Sequence, residues 1–540
     1  MTCFGVEMEK YDFLIIGSGF GGSVSACRLA QKGYKVAILE KGRDFQDKDF
    51  PKSNWDIRRF LWAPIVKCFG IQSISVLKNL LVLHGVGVGG GSLVYANTLL
   101  RPERDVLAQI PWPKSFNEGE SLVEHYRTAE KMLGVTTNKF IEENDEEIRN
   151  LSKALNCENT FSPTDVGVLM GDQPGVDIKD PYFNGDGPNR TTCTKCGGCM
   201  IGCRVGAKNT LVKNYLYFAK KWGARIFPNT QAHKVRKIGD EYFVDTISPG
   251  HLLFRNKNVF KAKNVIFSGG VMGTIDILFR NRDVYKTLPY IPQSLGHNIR
   301  TNGESLVGAT SFDSHRELSK GLAIGAQIKP DKYTKIEGVR YPAGSDFMKL
   351  LTTPLTPPGN RLVRPFHMLY KLAISFPSFL KALFSGDWAN KSVILLVMQS
   401  IDTKIKFKYK RNIYHGFSRG LVGEPDGKAM ETSIPIAQES ASIVAKNING
   451  IPLNCSLEAG AGSVATAHIL GGAVIGDDIK TSVVNERNEI HGYPGLFICD
   501  ASIIPGNLAV NPSLTITALA EKFASQFENI TENREIKFSN

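Results

Sequence analysis

No run of about 18 uncharged apolar residues occurs in this chain, so a helix crossing a bilayer is not expected. The opening MTCFGVEMEKYD carries acids and lacks an apolar core followed by a cleavage site, so no secretory signal is expected. Cysteine is sparse outside one short segment: four of the ten crowd between Cys193 and Cys203, and the rest stand singly. Such usage speaks against a disulfide framework and fits a reducing cytoplasm. Internal repeats and low-complexity tracts are missing. Basic residues exceed acids by 13, yet no known nucleic-acid module accompanies them, so nucleic acid is not an expected partner.

What is present is the composition of a soluble globular protein: 540 residues, 42% hydrophobic and 22% charged, with core enough for several domains. The most informative stretch is YDFLIIGSGFGGSVSACRLAQKGYKVAILE, Tyr11 to Glu40. An apolar strand breaks at Gly17, Gly19 and Gly22, continues as a small-residue helix, and returns as the strand YKVAIL. This is a βαβ unit whose glycines allow a tight turn and let a pyrophosphate approach the helix amides. Glu40, roughly 20 residues beyond the glycines, suits the two hydroxyls of an adenosine ribose and would repel a 2′-phosphate. The unit binds a dinucleotide, FAD or NAD.

Further along, HGVGVGGGSLVYAN (His84 to Asn97) has too many glycines for a strand interior and marks a loop pressed against something flat or charged. A polar region to about Arg190 reads as loops and helices covering a cleft. A helix over Thr210 to Trp222 then leads into the strand ARIFPNT. NVIFSGG ends in Gly269 and Gly270 before a helix over Thr274 to Arg280, a second strand–glycine–helix junction. LFICD, a loop with Pro505 and Pro512, and the helix SLTITALAEKFASQF repeat the theme at the C-terminus. Three distant segments are thus expected to build one α/β, doubly wound nucleotide-binding sheet, with insertions forming an α+β second domain.

Between Arg361 and Arg411 ten Lys/Arg face two acids, interleaved with aromatics in RPFHMLYKLAISFPSFLKALF and KIKFKYKR. Two readings stay open. The segment is an amphipathic helix resting on an anionic membrane, giving a cytoplasmic protein a peripheral location, or it is a solvated basic face over a buried helix.

The βαβ unit, HGVGVGGGSLV, NVIFSGGVMGTIDIL, AHILGG and GLFICDASIIPGNLAVNPSLTITALAE occur in the order found in glucose–methanol–choline flavoprotein oxidoreductases, and the chain resembles their cholesterol oxidase branch most. The resemblance implies FAD. It implies Gly17, Gly19, Phe20, Gly22, Glu40, Lys41, Gly89, Gly90, Gly91, Ser92, Asn97, Val235, Gly269, Asp500, Asn511 and Pro512 as its contacts. It also implies an FAD-binding, Rossmann-like domain built from 9–44, 208–310 and 485–530. The region 45–207, with the glycine loop 85–97 and the cysteines 193–203, covers the substrate, and 311–484 forms the substrate-binding domain. Some relatives tether FAD through a histidine before the glycine loop; His84 stands one residue too close to Gly90, so non-covalent FAD is expected.

Oxidising an alcohol by hydride transfer to flavin N5 needs a group to take the hydroxyl proton and another to fix the oxygen. His468 suits the first role, since its ordinary pKa lies near neutrality, and Asn511 can take the second or lend its amide edge to the flavin. Both match the family's catalytic positions. KIEGVRYPAGSDF resembles the stretch that carries an active-site Glu in the cholesterol oxidase branch. It places Asp346 there, one methylene shorter, with Glu337 as the alternative. Either acid would move a proton in isomerisation of a steroid double bond.

Cys193, Cys196, Cys199 and Cys203 read C-x2-C-x2-C-x3-C, the spacing of bacterial iron–sulfur ligation, without the usual proline after the last Cys. Some dehydrogenases of the family carry an iron–sulfur centre at an element that CMIGCRVGA partly resembles. Zinc on four thiolates and a metal-free thiol cluster are the other readings. A cluster would direct electrons to an external carrier, whereas its absence would leave oxygen as acceptor. The expected substrate is a sterol or similar hydrophobic alcohol. The alternatives are an FAD/iron–sulfur dehydrogenase of another alcohol and a non-catalytic flavin-binding redox sensor.

Overall fold

The strand Lys10–Ile16 is buried almost continuously from Tyr11 onward, as a parallel strand covered on both faces must be. In the computed structural model, which describes residues 9–250, 257–359, 363–384, 386–401, 403–427, 433–531 and 534–539, it pairs in parallel with Val36–Leu39 and Lys257–Phe267. Arg225–Phe227 adds to Val36–Leu39. The long strand Lys257–Phe267 does two jobs. Its last residues run parallel to both Lys10–Ile16 and Leu496–Ile498, while its first half pairs antiparallel with Glu241–Ile247, which continues to Gln231–Ile238. One sheet therefore draws its strands from three separated stretches of sequence.

The tips of these strands meet backbone to backbone. Gly17 has φ +104°, and a Cβ there would lie 2.3 Å from the Ser268 carbonyl oxygen. A Cβ on Gly21, in the helix Phe20–Gln31, would lie 1.7 Å from the Cys499 carbonyl oxygen, and one on Gly90 would lie 2.6 Å from Gly19 Cα. Only hydrogen fits at these places. The glycines that suggest ligand approach also let four chain segments close on one another.

A second sheet is antiparallel throughout, in the order Thr352–Pro354, Gly450–Cys455, Ser305–Ser311, Ser392–Gln399, Thr334–Val339, Ile324–Ile328, Ser162–Pro163. The helices Glu143–Ala154 and Pro435–Asn447 cover one face through Ile148, Leu151, Ala437, Ala441 and Val444. The other face presents Ile324, Val339, Ile394 and Leu396, packed with Met200 and Leu306, toward the first sheet.

Several elements differ from their sequence reading. The expected helix over Thr210 to Trp222 is a short 3-10 turn, Leu211–Lys213, followed by the helix Tyr215–Lys221. The helix expected from Thr274 begins earlier, at Gly270. The basic region is not one amphipathic helix. RPFHMLYKLAI and FPSFLKAL form the helices Arg364–Ile374 and Phe376–Leu383, whereas KIKFKYKR is a strand, Ile405–Arg411, paired with Arg419–Pro425. Its period is two: Ile405 and Phe407 are buried and Lys408 is exposed. Residues 1–8 and Arg361 lie outside the described residues. Among the described residues no helix is long and apolar enough to cross a membrane.

Candidate active site

A cavity of about 570 Å³ runs between the two sheets. One end is made of backbone. Gly17, Gly19, Phe20 and Gly21, then Gly90 and Gly91, then Ser268, Gly269 and Gly270 line it. The helix Phe20–Gln31 starts there with Gly19 at its N-cap and no side chain capping it, so its first amides and its dipole face the cavity. Glu40 and Lys41 line the same end. The Glu40 carboxylate accepts from the Ser18 amide at 3.1 Å, the Ser18 hydroxyl at 2.7 Å and the Gly42 amide at 2.9 Å. His84 also lines the cavity, its Nε2 3.1 Å from Ser75 Oγ, and burial beside Lys41 pushes its pKa down to about 3.

The other end is made of side chains. Leu306, Ile324, Val339, Ile394 and Leu396 from the antiparallel sheet form an apolar wall, joined by Met200, Tyr341 and Met348. His468 and Asn511 stand at its head, with Asn511 Nδ2 3.4 Å from His468 Nε2 and 3.2 Å from Glu337 Oε2. His468 Nδ1 bonds to Glu304 Oε1, and Glu304 Oε2 accepts from the Ala467 amide at 3.0 Å. Burial alone would lower the imidazole's pKa; the Glu304 carboxylate outweighs it and holds the group above its ordinary value. Burial raises Glu337, against the opposing pull of Lys335 and the Asn511 amide. Asn511 Oδ1 and Glu337 Oε1 are buried and have no hydrogen-bond partner among the described residues.

Not every residue expected at the site reaches it. Asp346 is absent from the cavity wall; its Oδ1 accepts from the Ala389 amide at 3.1 Å and its Oδ2 lies 3.9 Å from Lys349 Nζ, so it ties two chain segments together. The missing methylene matters less than the direction of the loop. Glu337 is the acid that the structure brings to His468 and Asn511. Val235 lies on Gln231–Ile238 with its amide given to Asn281, while Thr230 to His233 reach the cavity instead. Gly22 packs against the Gly17 carbonyl, and Gly89 and Ser92 lie behind the loop, Ser92 Oγ donating to the Gly89 carbonyl. Asn97 turns away as well, between Ala96 and Thr98, which line the cavity. Asp500 and Pro512 do line it; Asp500 accepts from the Ser502 amide and hydroxyl, and from the Thr274 hydroxyl.

The residues 437–520 match the family model described as GMC oxidoreductase, and 15–45 match that of an NAD(P)-binding Rossmann-like domain. A cholesterol oxidase of Acinetobacter baumannii is 41% identical over 96% of this chain and 95% of its own length. This chain belongs to the glucose–methanol–choline oxidoreductases, in their cholesterol oxidase-like branch. A cholesterol oxidase of Mycobacterium tuberculosis is also 41% identical over 96% of this oxidoreductase and 91% of its own length. A long-chain-alcohol oxidase of Arabidopsis thaliana is 25% identical over 95% of it and 67% of its own length. Among solved structures, a pyridoxine 4-oxidase from Mesorbium loti has the same fold, with TM-score 0.63 at 13% identity over 96% of this oxidoreductase and 99% of that chain.

This oxidoreductase is therefore an FAD-dependent enzyme acting on the CH–OH group of donors. Its cavity suits that cofactor. The uncapped helix and glycine backbone fit a pyrophosphate, Glu40 fits a ribose, and the wall beyond Gly90 and Gly91 leaves room for a flat ring.

The iron–sulfur expectation finds no support. Among the described residues no three His, Cys, Asp or Glu side chains form a metal-holding group. Cys193 and Cys203 pack with Val166, Val168, Ala207 and Leu322 in a small apolar cluster, while Cys196 is exposed. The segment has a structural task. Met200 joins the substrate wall, and Lys208 Nζ donates to the carbonyls of Cys199 at 2.7 Å and Leu93 at 3.0 Å, fastening the cysteine turn to the glycine loop. Glu304 went unnoticed in the sequence. NIRTNGESLV offers one acid after an Asn-Gly turn, and nothing local ties it to a histidine 164 positions away.

Proposed function

We propose that the enzyme oxidises the hydroxyl of a sterol-like hydrophobic alcohol, with His468 as the base and Asn511 holding the oxygen. One observation carries this reading: His468 Nε2 and Asn511 Nδ2 stand 3.4 Å apart at the head of an apolar wall. A neutral imidazole accepts the hydroxyl proton while the Asn511 amide donates to the oxygen, so the developing alkoxide is stabilised as it forms. The apolar wall excludes water and orients the alcohol by its ring system. FAD, bound non-covalently with His84 kept to Ser75, supplies the hydride acceptor. Should a double bond also migrate in the product, Glu337, whose carboxylate lies 3.2 Å from Asn511 Nδ2, is the acid proposed to move that proton. The sterol preference is supported by the extended identity to cholesterol oxidases and by the breadth of the apolar wall.

Anaerobic bleaching of the bound flavin by cholesterol, hexadecan-1-ol and glucose tests this. Cholesterol is expected to bleach fastest and glucose not at all. His468→Ala should retain the yellow colour and lose about 10²–10⁴-fold in bleaching rate. Full bleaching by that variant would dismiss the assignment. Reoxidation by oxygen against an added dye then identifies the acceptor.

The helix Arg364–Ile374 exposes Phe366 (71%) and Tyr370 (63%), and Phe384 (76%) is exposed just after the helix Phe376–Leu383, among Lys371 and Lys381. We propose that this pair rests on an anionic membrane surface, from which a hydrophobic alcohol is drawn. Phe366→Ser with Phe384→Ser should abolish sedimentation with vesicles containing phosphatidylglycerol. Unchanged sedimentation, or none by the parent protein, would leave the helices as a solvated face.

A further inference from the structure

The turn before the strand Ser305–Ser311 is tight. Asn302 and Gly303 both have positive φ, +61° and +59°, and a Cβ on Gly303 would lie 2.6 Å from the Gln399 carbonyl oxygen. Two things follow from that geometry. The Asn302 side chain accepts from the Ala509 amide at 3.0 Å and donates to the Val510 carbonyl at 3.0 Å, holding the loop that carries Asn511. The next side chain but one, Glu304, is fully buried and spends both oxygens on the segment that carries His468, one on the Ala467 amide and one on Nδ1. A single turn therefore grips both halves of the site.

We infer that Glu304 is the positioning residue of the reaction: its carboxylate accepts the Nδ1 proton of His468 and so aims the Nε2 lone pair at the bound hydroxyl. This rests on His468 being the base. A neutral imidazole with Nδ1 protonated has Nε2 as its acceptor. The second contact fits the same tautomer, because Asn511 Nδ2 can only donate and faces Nε2; a bound hydroxyl takes over that lone pair, and the Asn511 amide turns its donation to the hydroxyl oxygen. Once Nε2 has taken the substrate proton, both ring nitrogens donate, and the buried carboxylate offsets the new positive charge. The arrangement is closed on the remaining side. Among the described residues, the charged group besides Glu304 that acts on the imidazole is Glu337 from the strand Thr334–Val339, behind Asn511, with Lys335 beside it on that strand.

The test uses the FAD-loaded enzyme, anaerobic stopped flow and cholesterol, or hexadecan-1-ol should cholesterol fail to bleach it. Glu304→Gln removes the charge and keeps the shape. Bleaching should slow by about 10²–10⁴-fold with KM within a few-fold. The pH at which the rate rises should also fall, because an imidazole without its carboxylate loses its proton more readily. Glu304→Asp keeps the charge at a shorter reach; it should recover part of the rate and keep the rise near its original pH. Far-UV circular dichroism and the flavin spectrum report folding of each variant. If Glu304→Gln does not hold FAD, the Asp variant decides, and a rise displaced as far as in an uncharged site overturns the inference. A parent-like rate and pH profile in Glu304→Gln also overturns it. In that case His468→Ala shows which reading failed: an inactive His468→Ala leaves the base assignment standing, an active one removes both.

Discussion

The two ends of the cavity are built from different materials. At the nucleotide end the wall is main chain, from Gly17, Gly19, Gly90, Ser268 and Gly269, and its shape depends on side chains that are not there. At the chemistry end it is side chain: an imidazole, an amide, the Glu304 carboxylate and a palisade of Leu, Ile and Val, with Glu337 behind Asn511. Main-chain contacts have no rotamers with which to yield, so the first end should fail all at once. The second can repack around a change, so its failures should be graded.

The sharpest break is at Gly21. A methyl there would sit 1.7 Å from the Cys499 carbonyl oxygen, a clash that only separation of the helix Phe20–Gln31 from the C-terminal segment relieves. Gly21→Ala is expected to purify colourless and to lose more than about 3 kcal/mol of stability. Absorbance at the flavin bands and the thermal midpoint would show it. A yellow protein with a parent-like midpoint would mean that the segments are not locked as described.

This division also decides what could be read from sequence. The nucleotide end was legible because its parts are consecutive: strand, Gly17, helix, strand and Glu40 fall within one local unit whose physics is repeated in any chain. His468 and Asn511 became legible through the runs that surround them. The antiparallel sheet was not, since the Ser305–Ser311 strand pairs with Ser392–Gln399 and Gly450–Cys455 across long insertions. Asp346 and Glu337 show the cost. They are nine positions apart on a strand and the loop after it, and only the loop's path decides that Glu337 meets Asn511 while Asp346 accepts from the Ala389 amide. The cysteine spacing leaves ligation and a metal-free thiol cluster both open in sequence; in the structure the four thiols line one small cavity, with Cys193 buried and Cys196 exposed, and no metal-holding group forms among the described residues.

A smaller effect should appear where a side chain serves the main-chain end. Glu40 accepts three hydrogen bonds from Ser18 and Gly42. A glutamine there can turn only one oxygen to these donors, so its amide must face a backbone N–H. Losing a charge-assisted contact of this kind costs about 1.5–3 kcal/mol, which weakens FAD binding by about 10–100-fold. Fluorescence titration of flavin-free protein measures it. An unchanged affinity would show that the loop tolerates rearrangement and that the contrast between the ends is overdrawn.

The mildest outcome is expected at the apolar wall. Leu396 lies on Ser392–Gln399, pairs with Leu306 on one side and Glu337 on the other, and is 6% exposed where it meets the cavity. Leu396→Ala removes a side chain packed on one side against Ile324 and Val339 and open to the cavity on the other, so the cost should fall at the low end for such changes, about 2 kcal/mol. The widened cavity should raise KM for cholesterol several-fold and leave kcat within a few-fold, because the lost contact is made equally before and during proton transfer. A fall in kcat comparable to that of Glu304→Gln would contradict this. It would place Leu396 in control of Glu337, its direct cross-strand neighbour, and shift the boundary of the chemical site from the His468 loop into the sheet itself.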